Sequence, residues 1–239
     1  YRDLMGKVDA VSVAVPTVAH ADVAEAFLRA GVAVLVEKPL APSLEEADRI
    51  LRAAEAGRAV VAAGHLERFN PAVEYLLEHV KKPRFVEVHR LSAFPERSLD
   101  VDVLLDVMIH DLDILLAMVR ERVTLVHAVG VPALTDKVDI ANVRIEFEGG
   151  CVANLTASRI SREKMRKVRV FEPRRYTSVD YAAQEAESYS LSVKPGARPE
   201  IVRAAPALPK EEPLRKELEH FMRCAQVRET PRVGGVWAR

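Results

Sequence analysis

Residues 8–40 read VDAVSVAVPTVAHADVAEAFLRAGVAVLVEKPL, and this stretch decides the fold. Residues 8–15 are short, apolar on both faces and end at Pro16, which is typical of a strand buried on both sides. Residues 20–31 follow with apolar positions at helical spacing and a final glycine. Residues 32–37 form a second short apolar run. A strand, a helix and a strand within about 30 residues make a βαβ unit, so we expect the two strands to be parallel.

The same pattern continues for one more helix and strand. Ser43 stands three residues before Glu46, a spacing that predicts a capping box at the start of a helix ending near Gly57. Residues 59–64 are again short and apolar. The first 64 residues therefore indicate the later part of a doubly wound parallel sheet.

From about residue 70 the pattern changes to strands without intervening helices. Asn70 and Pro71 predict a helix start, because Asn caps and Pro fits the first helical position. Alternating strand-like runs follow, and Gly149-Gly150 joins two of them as a hairpin. We expect an open, mostly antiparallel sheet. The Pro- and Ala-rich residues 195–213 are expected to be irregular, and residues 212–226 to form an amphipathic helix.

Composition excludes several classes of partner. The 239 residues include 35 Lys and Arg against 35 Asp and Glu, so nothing in the charge calls for nucleic acid or an anionic membrane. No apolar run approaches the ~20 residues that a spanning helix needs. The two cysteines are far apart and match no metal spacing. Buried, inert thiols suit a reducing compartment, so we expect a cytoplasmic protein.

Lys38 is the first candidate for chemistry. In an open parallel sheet, ligands bind beyond the carboxyl ends of the strands. The turns at residues 15–20 and 37–40 both leave those ends, so they share one rim. A lysine in such a turn points its charge at the crevice. The alternative is an ordinary solvated surface lysine.

The second candidate is the apolar helix LLDVMIHDLDILL at residues 104–116. Asp106 and His110 are four residues apart and share one face, which Asp113 continues. Ionised carboxylates do not sit alone in an apolar core, so this face must meet a polar cavity, a cation or a partner. A carboxylate beside an imidazole makes a general base. The alternatives are a pair that only stabilises the helix and a metal site, for which a further His or Cys is missing. Asp111 points elsewhere and is expected to be a salt-bridge or capping partner.

Together these motifs resemble the glucose–fructose oxidoreductase and inositol dehydrogenase (Gfo/Idh/MocA) family of NAD(P)-dependent sugar oxidoreductases. The resemblance rests on VDAVSVAVPT, EKPL, HLERFNPAV and LLDVMIHDLDILL in that order. It implies a Rossmann domain, of which residues 1–66 are the C-terminal part. Residues 67–239 are then a substrate and oligomerisation domain, and the protein is expected to be a homodimer or homotetramer.

The resemblance also implies roles for individual residues. Lys38 is expected to hydrogen-bond the reacting hydroxyl beside the nicotinamide, and His110 to remove its proton. Asp106 orients the histidine or contacts the sugar. The remaining cofactor-binding positions are Pro16, Thr17 and His20 along the cofactor's path, Glu37 beside the nicotinamide ribose, and Pro39, which often follows a cis peptide. No metal is expected.

The closest likeness is to members that oxidise the 3-hydroxyl of UDP-N-acetyl-hexosamines. The stretch TASRISREKMRKVRV at residues 156–170 carries basic residues suited to a diphosphate, among them Arg159 and Arg166. The alternative is a solvated basic loop. Arg68 and Asn70 are expected to touch the sugar, although Asn70 also fits a simple helix cap.

One departure concerns the cofactor. No G-x-G-x-x-G occurs in the chain, and the residue that selects NAD or NADP about 20 positions later is also missing. We therefore expect a chain that starts after both, with NAD or NADP as cofactor. The alternatives are a non-catalytic member that senses a sugar or dinucleotide, and an inactive truncated product.

Overall fold

Three short apolar strands pair in parallel, as the strand–helix–strand pattern predicts. The computed structural model describes residues 1–94, 101–193 and 198–239. In it β1 (Ala10–Val13), β2 (Ala33–Glu37) and β3 (Val61–Gly64) lie side by side in that order. The helices α1 (His20–Arg29) and α2 (Leu44–Gly57) connect them. The first four residues of β2 are all buried, because a strand covered on both faces exposes neither set of side chains.

The start of α2 confirms the predicted cap. The Ser43 side chain accepts a hydrogen bond from the Glu46 backbone N–H at 3.3 Å. That bond satisfies one of the donors that the first helical turn leaves without an intrahelical partner.

The C-terminal residues belong to the same unit as the parallel sheet. This first unit comprises Tyr1–Arg68 and Glu212–Arg239, whereas the domain boundaries predicted above place residues 212–239 in the second domain. Helix α5 (Pro213–Val227) packs Phe221 against Ala33, Leu35 and Ala62 of β2 and β3. The amphipathic pattern predicts the helix correctly, but it does not say which of two sheets the apolar stripe will cover.

The residues after α5 cover the free edge of β3. The Ala63 N–H donates to the Val233 carbonyl at 3.0 Å, and Gly234 makes an antiparallel bridge with Ala62. A short helix α6 (Gly235–Ala238) follows. An edge strand with unpaired N–H and C=O groups is thereby partly protected.

The second unit, Phe69–Glu211, is built on a mixed sheet of eight strands. Its elements are α3 (Pro71–His79), β4 (Phe85–Leu91), a π-helical turn at Leu104–Met108, α4 (Ile109–Val119), β5 (Val123–Val131), β6 (Ile140–Phe147), β7 (Val152–Ser158), β8 (Met165–Glu172), β9 (Arg175–Asp180), β10 (Glu185–Ser192) and β11 (Glu200–Ala204). The strand order is β11-β10-β9-β8-β4-β7-β6-β5. Within the described ranges every neighbouring pair is antiparallel except β4 and β7, which run parallel. The sheet is therefore mostly antiparallel, as expected.

One face of this sheet carries the core and the other remains open. Buried and half-buried residues alternate strictly along β4, and Val86, Val88 and Arg90 form its buried set. The helices α3 and α4 contribute Leu76, Ile114 and further apolar residues to the same core. Alternation of this kind is what a strand with a single covered face requires.

Two features were not predicted. Strand β11 lies within residues 195–213, which were expected to be irregular, and residues 195–197 of that stretch lie outside the described residues. All five residues of β11 are exposed. The sequence therefore shows no alternation of apolar and polar residues that would predict this edge strand. The π-helical turn before α4 was also missed, because an extra residue in one turn leaves the apolar pattern almost unchanged.

In the part of the chain that the structure describes, helices are too short or too polar to cross a bilayer.

Candidate active site

The carboxyl ends of the parallel strands carry the candidate residues of the first unit. The turn after β1 presents Pro16, which is exposed, and Thr17, which is half-buried. The turn after β2 presents Glu37, Lys38 and Pro39, all half-buried. The peptide bond between Lys38 and Pro39 is cis, as the resemblance implied. Because β1 and β2 are parallel neighbours, both turns leave the same edge of the sheet.

The buried His20 side chain connects these two turns by hydrogen bonds. Its Nε2 lies 2.9 Å from the Val15 carbonyl oxygen, and its Nδ1 lies 2.9 Å from the Pro39 carbonyl oxygen. The side chain is 1% exposed. His20 therefore holds the two turns in place, and its place along the cofactor's path stays a prediction. The sequence could not predict which backbone carbonyl groups the His20 ring would hydrogen-bond.

Glu37 closes the end of β2 against β3. Its register partner is Gly64, and a Cβ atom at residue 64 would come within 3.0 Å of the Glu37 carboxylate. A glycine there lets the Glu37 side chain lie over the end of β3. The edge thus presents a carboxylate, which accepts hydrogen bonds from hydroxyls, next to the Lys38 ammonium, which donates them. These groups suit the ribose and nicotinamide end of a dinucleotide.

The candidate residues of the second unit lie on α4 and the turn before it. His110 is 8% exposed and Asp113 is 6% exposed, whereas Asp106 in the π-helical turn is half-buried. The surrounding positions of α4 are apolar and contribute Ile114 and Leu115 to the core. This confirms a helix that is buried on most of its surface and still carries titratable groups.

Asp111 forms the salt bridge that its position predicted. The Arg90 Nε donates to both Asp111 oxygens, at 3.2 and 3.1 Å. The Tyr181 hydroxyl donates to one of them at 2.5 Å, and the Arg90 guanidinium lies 5.0 Å from the Tyr181 ring centre. Both partners were missed, because Arg90 and Tyr181 are distant from α4 in sequence and carry no motif.

Asn70 contributes to the same cluster from the start of α3. Its side-chain oxygen accepts the Ala72 N–H at 3.0 Å, and its side-chain NH₂ donates to the Tyr181 carbonyl at 2.8 Å. Asn70 is 2% exposed. It therefore serves as the helix cap that the sequence offered as the alternative, rather than as a sugar ligand.

Arg68 is likewise used inside its own unit. Its guanidinium lies 5.4 Å from the Trp237 ring centre, and its carbonyl accepts a hydrogen bond from Arg232 at 2.8 Å. The residue is 6% exposed, so the predicted contact with a sugar is not what the structure shows.

Arg159 is fully buried, which contradicts its prediction as a diphosphate ligand. Its Nε donates to Asp139 at 2.9 Å, and its other nitrogens donate to the Val101 carbonyl at 2.7 Å and the Thr135 hydroxyl at 3.1 Å. A buried guanidinium needs such partners, because desolvating an unpaired charge is too costly. Arg159, the first arginine of the basic stretch, therefore has a structural role in the core of its unit.

Arg166, from the same basic stretch, is exposed. It lies in β8 opposite Arg90 of β4, so both side chains are on the same face of the sheet. That is the face covered by α4, where Arg90 holds Asp111 next to His110. The structure thus places Arg166 on the histidine side of the sheet.

Comparison with known proteins shows the family of the chain. The family described as an oxidoreductase family with an NAD-binding Rossmann fold matches residues 1–65, and the GFO/IDH/MocA C-terminal domain matches residues 44–174. The UDP-N-acetylglucosamine 3-dehydrogenase of Acidithiobacillus ferrooxidans is 42% identical over 225 residues, which span 92% of this chain and 71% of that protein. The chain belongs to the Gfo/Idh/MocA family.

Solved structures agree with this assignment. The UDP-N-acetylglucosamine 3-dehydrogenase from the same bacterium has a TM-score of 0.92 at 39% identity, over 99% of this chain and 76% of that one. A levoglucosan dehydrogenase described as a complex with NADH and levoglucosan has a TM-score of 0.86 at 19% identity, over 99% of this chain and 76% of that one. The second likeness shows the shared fold. As a Gfo/Idh/MocA member, the chain is an NAD(P)-dependent oxidoreductase, as expected.

The Asp139–Arg159 pair yields a prediction about acid stability. Burial raises the pKa of Asp139, but the N–H groups of Leu134 and Thr135 and the Arg159 guanidinium outweigh it and hold the pKa well below its ordinary value of 3.8. The ionised group therefore stabilises the folded state above the unfolded pKa, and this stability is lost as the pH falls through the folded pKa. Wild type should be clearly more stable than Asp139→Asn at pH 7, with a difference that shrinks below about pH 4.

The measurement is the melting temperature of both proteins between pH 3 and pH 7. The exposed Asp136, in the same loop, provides a matched control, and Asp136→Asn should track wild type throughout. A difference between wild type and Asp139→Asn that stays constant down to pH 3 would contradict the assigned ion pair.

Proposed function

We propose that the protein oxidises a secondary hydroxyl of a nucleotide sugar, the 3-hydroxyl of a UDP-N-acetyl-hexosamine, with NAD or NADP. The observation that carries this proposal is the 42% identity to a UDP-N-acetylglucosamine 3-dehydrogenase over 92% of the chain. The match extends through both units, so it includes the residues at the edge of the parallel sheet and those on α4. Inositol 2-dehydrogenase 2 of Saccharopolyspora erythraea, 35% identical, matches over 45% of the chain.

The edge of the parallel sheet holds the nicotinamide end of the cofactor in this proposal. Glu37 accepts hydrogen bonds from the ribose, and Lys38 lies beside the ring. Pro16, Thr17 and Pro39 shape the rest of the surface. A bound nicotinamide supplies the acceptor for the hydride that leaves the substrate carbon.

His110 is the proposed general base. An imidazole removes the hydroxyl proton as negative charge develops on the oxygen. The Lys38 ammonium stabilises the same charge by hydrogen-bonding that oxygen. Asp106, in the half-buried π-helical turn before His110, orients the histidine or contacts the sugar.

The diphosphate of the substrate is assigned to Arg166. A guanidinium offers paired N–H donors that match phosphate oxygens, and Arg166 is exposed on the α4 side of its sheet. Lys167, its neighbour, points to the other face and lies 3.8 Å from Asp180. Arg159, buried with Asp139, takes no part.

The open face of the eight-stranded sheet is proposed to join copies into a homodimer or homotetramer. Phe85, Phe171, Tyr176 and Tyr189 form a continuous row of ring contacts across four strands, with neighbouring ring centres 5.0–6.0 Å apart. Phe171 is 38% exposed, and an exposed apolar row of this kind marks an association surface. Sedimentation analysis should show a dimer or tetramer, and a monomer at micromolar concentration would contradict this assignment.

The cytoplasm is the proposed setting. Both cysteines are free and buried, and burial raises the pKa of the Cys151 thiol to about 11. Such thiols are inert, as expected in a reducing compartment.

A substrate screen tests the function directly. The purified protein should reduce NAD or NADP with UDP-N-acetylglucosamine and much less with inositol or glucose, as followed by nicotinamide absorbance. Arg166→Ala should raise the KM for the UDP-sugar about tenfold or more, since a charged hydrogen bond to phosphate is lost. Lys167→Ala, which removes the neighbouring cation on the other face of the sheet, should leave the KM nearly unchanged. Binding of the dinucleotide and the UDP-sugar without turnover would favour the sensing alternative instead.

His110→Ala tests the base assignment. Turnover should fall by about 10²–10⁴, the usual contribution of a positioned general base, while the circular dichroism spectrum stays that of wild type. His127→Ala, at an exposed position of β5, should retain turnover. Near-normal activity of a folded His110→Ala protein would rule out the assignment.

A further inference from the structure

Glu217 is a buried carboxyl group for which the proposed reaction has no use. It lies on α5 and is 2% exposed. Neither of its carboxyl oxygens has a hydrogen-bond partner among the described residues. An ionised carboxylate in such surroundings is strongly disfavoured, because water has been removed and nothing replaces it.

The direction of α5 shows where this carboxyl group lies. Ala225 and Gln226 near the end of α5, with Arg228 just after it, line the same cavity as Ala33 and Val60, at the amino ends of β2 and β3. One turn back, Phe221 packs against Leu35 and Ala62. The helix therefore runs opposite to the strands.

One further turn back, the helix has risen about 6 Å from Phe221, and β2 rises about the same distance from Leu35 to Glu37. This places Glu217 at the carboxyl end of β2, beside Glu37. The electrostatics agree: burial, followed by repulsion from Glu37, raises the pKa of Glu217 to about 8.

We propose that Glu217 is a positioning residue of the cofactor edge, and that it must be neutral for the Glu37–Lys38–Pro39 turn to hold the dinucleotide. A neutral Glu217 leaves the Glu37 carboxylate as the single negative charge of that pair. An ionised Glu217 places a second negative charge beside it, and the dinucleotide itself is anionic. Loss of the proton therefore weakens cofactor binding. This inference rests on the NAD(P) dependence of the proposed function.

Charged or titratable side chains also occur on the elements that meet Glu217. They are Glu37 and Lys38 at the end of β2, His65, Glu67 and Arg68 after β3, and Lys216 and His220 on α5, and Glu37 raises the pKa of Glu217. Burial, with Arg232 and Arg223, lowers the pKa of His220 below its ordinary value of 6.5, so His220 stays neutral between pH 7 and pH 9. A comparison of wild type with Glu217→Gln isolates Glu217 from all of them.

The first test measures stability without cofactor. Because the folded pKa of Glu217 is raised from the ordinary 4.5 to about 8, the folded state loses stability as the pH rises between these values. The amide in Glu217→Gln resembles the neutral acid and does not titrate. Its melting temperature should match wild type near pH 5 and exceed it by several degrees at pH 9.

Two further variants sharpen this test. Glu217→Met, which is uncharged and of similar size, should show the same growing advantage at high pH and serves if Glu217→Gln folds poorly. Glu219→Gln changes an exposed residue of the same helix and should follow wild type at every pH. A pH-independent difference between Glu217→Gln and wild type would overturn the proposal.

The second test measures binding of NAD and NADP by calorimetry at pH 6, 7, 8 and 9. The wild-type Kd should rise about threefold or more between pH 7 and pH 9, as a second charge appears at the edge. The Kd of Glu217→Gln should stay flat and equal to the wild-type value at low pH. Equal pH dependence in both proteins would overturn the positioning role.

The two tests separate this inference from the proposed function. Calorimetry reads cofactor binding without turnover. If neither dinucleotide binds at any pH, the proposed function fails and the positioning role fails with it, whereas the melting curves still decide whether Glu217 is neutral in the folded protein. If the dinucleotide binds and the variant responds to pH as wild type does, only the inference about Glu217 fails.

Discussion

The buried contact between Arg90 and Asp111 holds the second unit's functional helix on its sheet. Asp111 follows His110 directly, so the contact that fixes one residue also sets the direction of the other. Tyr181 completes the contact with a 2.5 Å hydrogen bond from its hydroxyl, and Asn70 ties the Tyr181 backbone to the start of α3. A buried ion pair adds little net stability compared with apolar packing. It does fix one arrangement, because any shift of α4 along β4 would leave two charges without partners.

The sequence predicted the elements whose burial leaves a periodic trace. The strands β1, β2 and β3 are short, apolar and separated by helix-like segments, so their parallel pairing followed directly. Ser43 and Asp111 were also predicted, since a cap depends on neighbours three residues away and a charge on the far face of an apolar helix requires a partner. Interactions can be predicted from the sequence when the interacting residues are close together along the chain.

Long-range contacts explain what the sequence could not show. Arg159 looked like its basic neighbours, yet Asp139 and the Val101 carbonyl enclose it, and 20 residues separate the two charges. The apolar stripe predicted helix α5. Which of the two sheets this stripe packs against depends on the path of the chain in three dimensions, which the sequence pattern does not show. The buried Glu217 could not be distinguished from the exposed glutamates beside it. In each case the deciding partner lies far along the chain.

The two turns at the edge of the parallel sheet share one internal support. The His20 ring spans from the Val15 carbonyl to the Pro39 carbonyl without reaching the surface. The buried His20 side chain therefore sets the distance between the turn after β1 and the turn after β2. The side chains displayed above it, at Thr17 and Glu37, can change identity without altering that spacing. Because the supporting residue is separate from the exposed side chains, related proteins can evolve different ligand preferences on the same backbone.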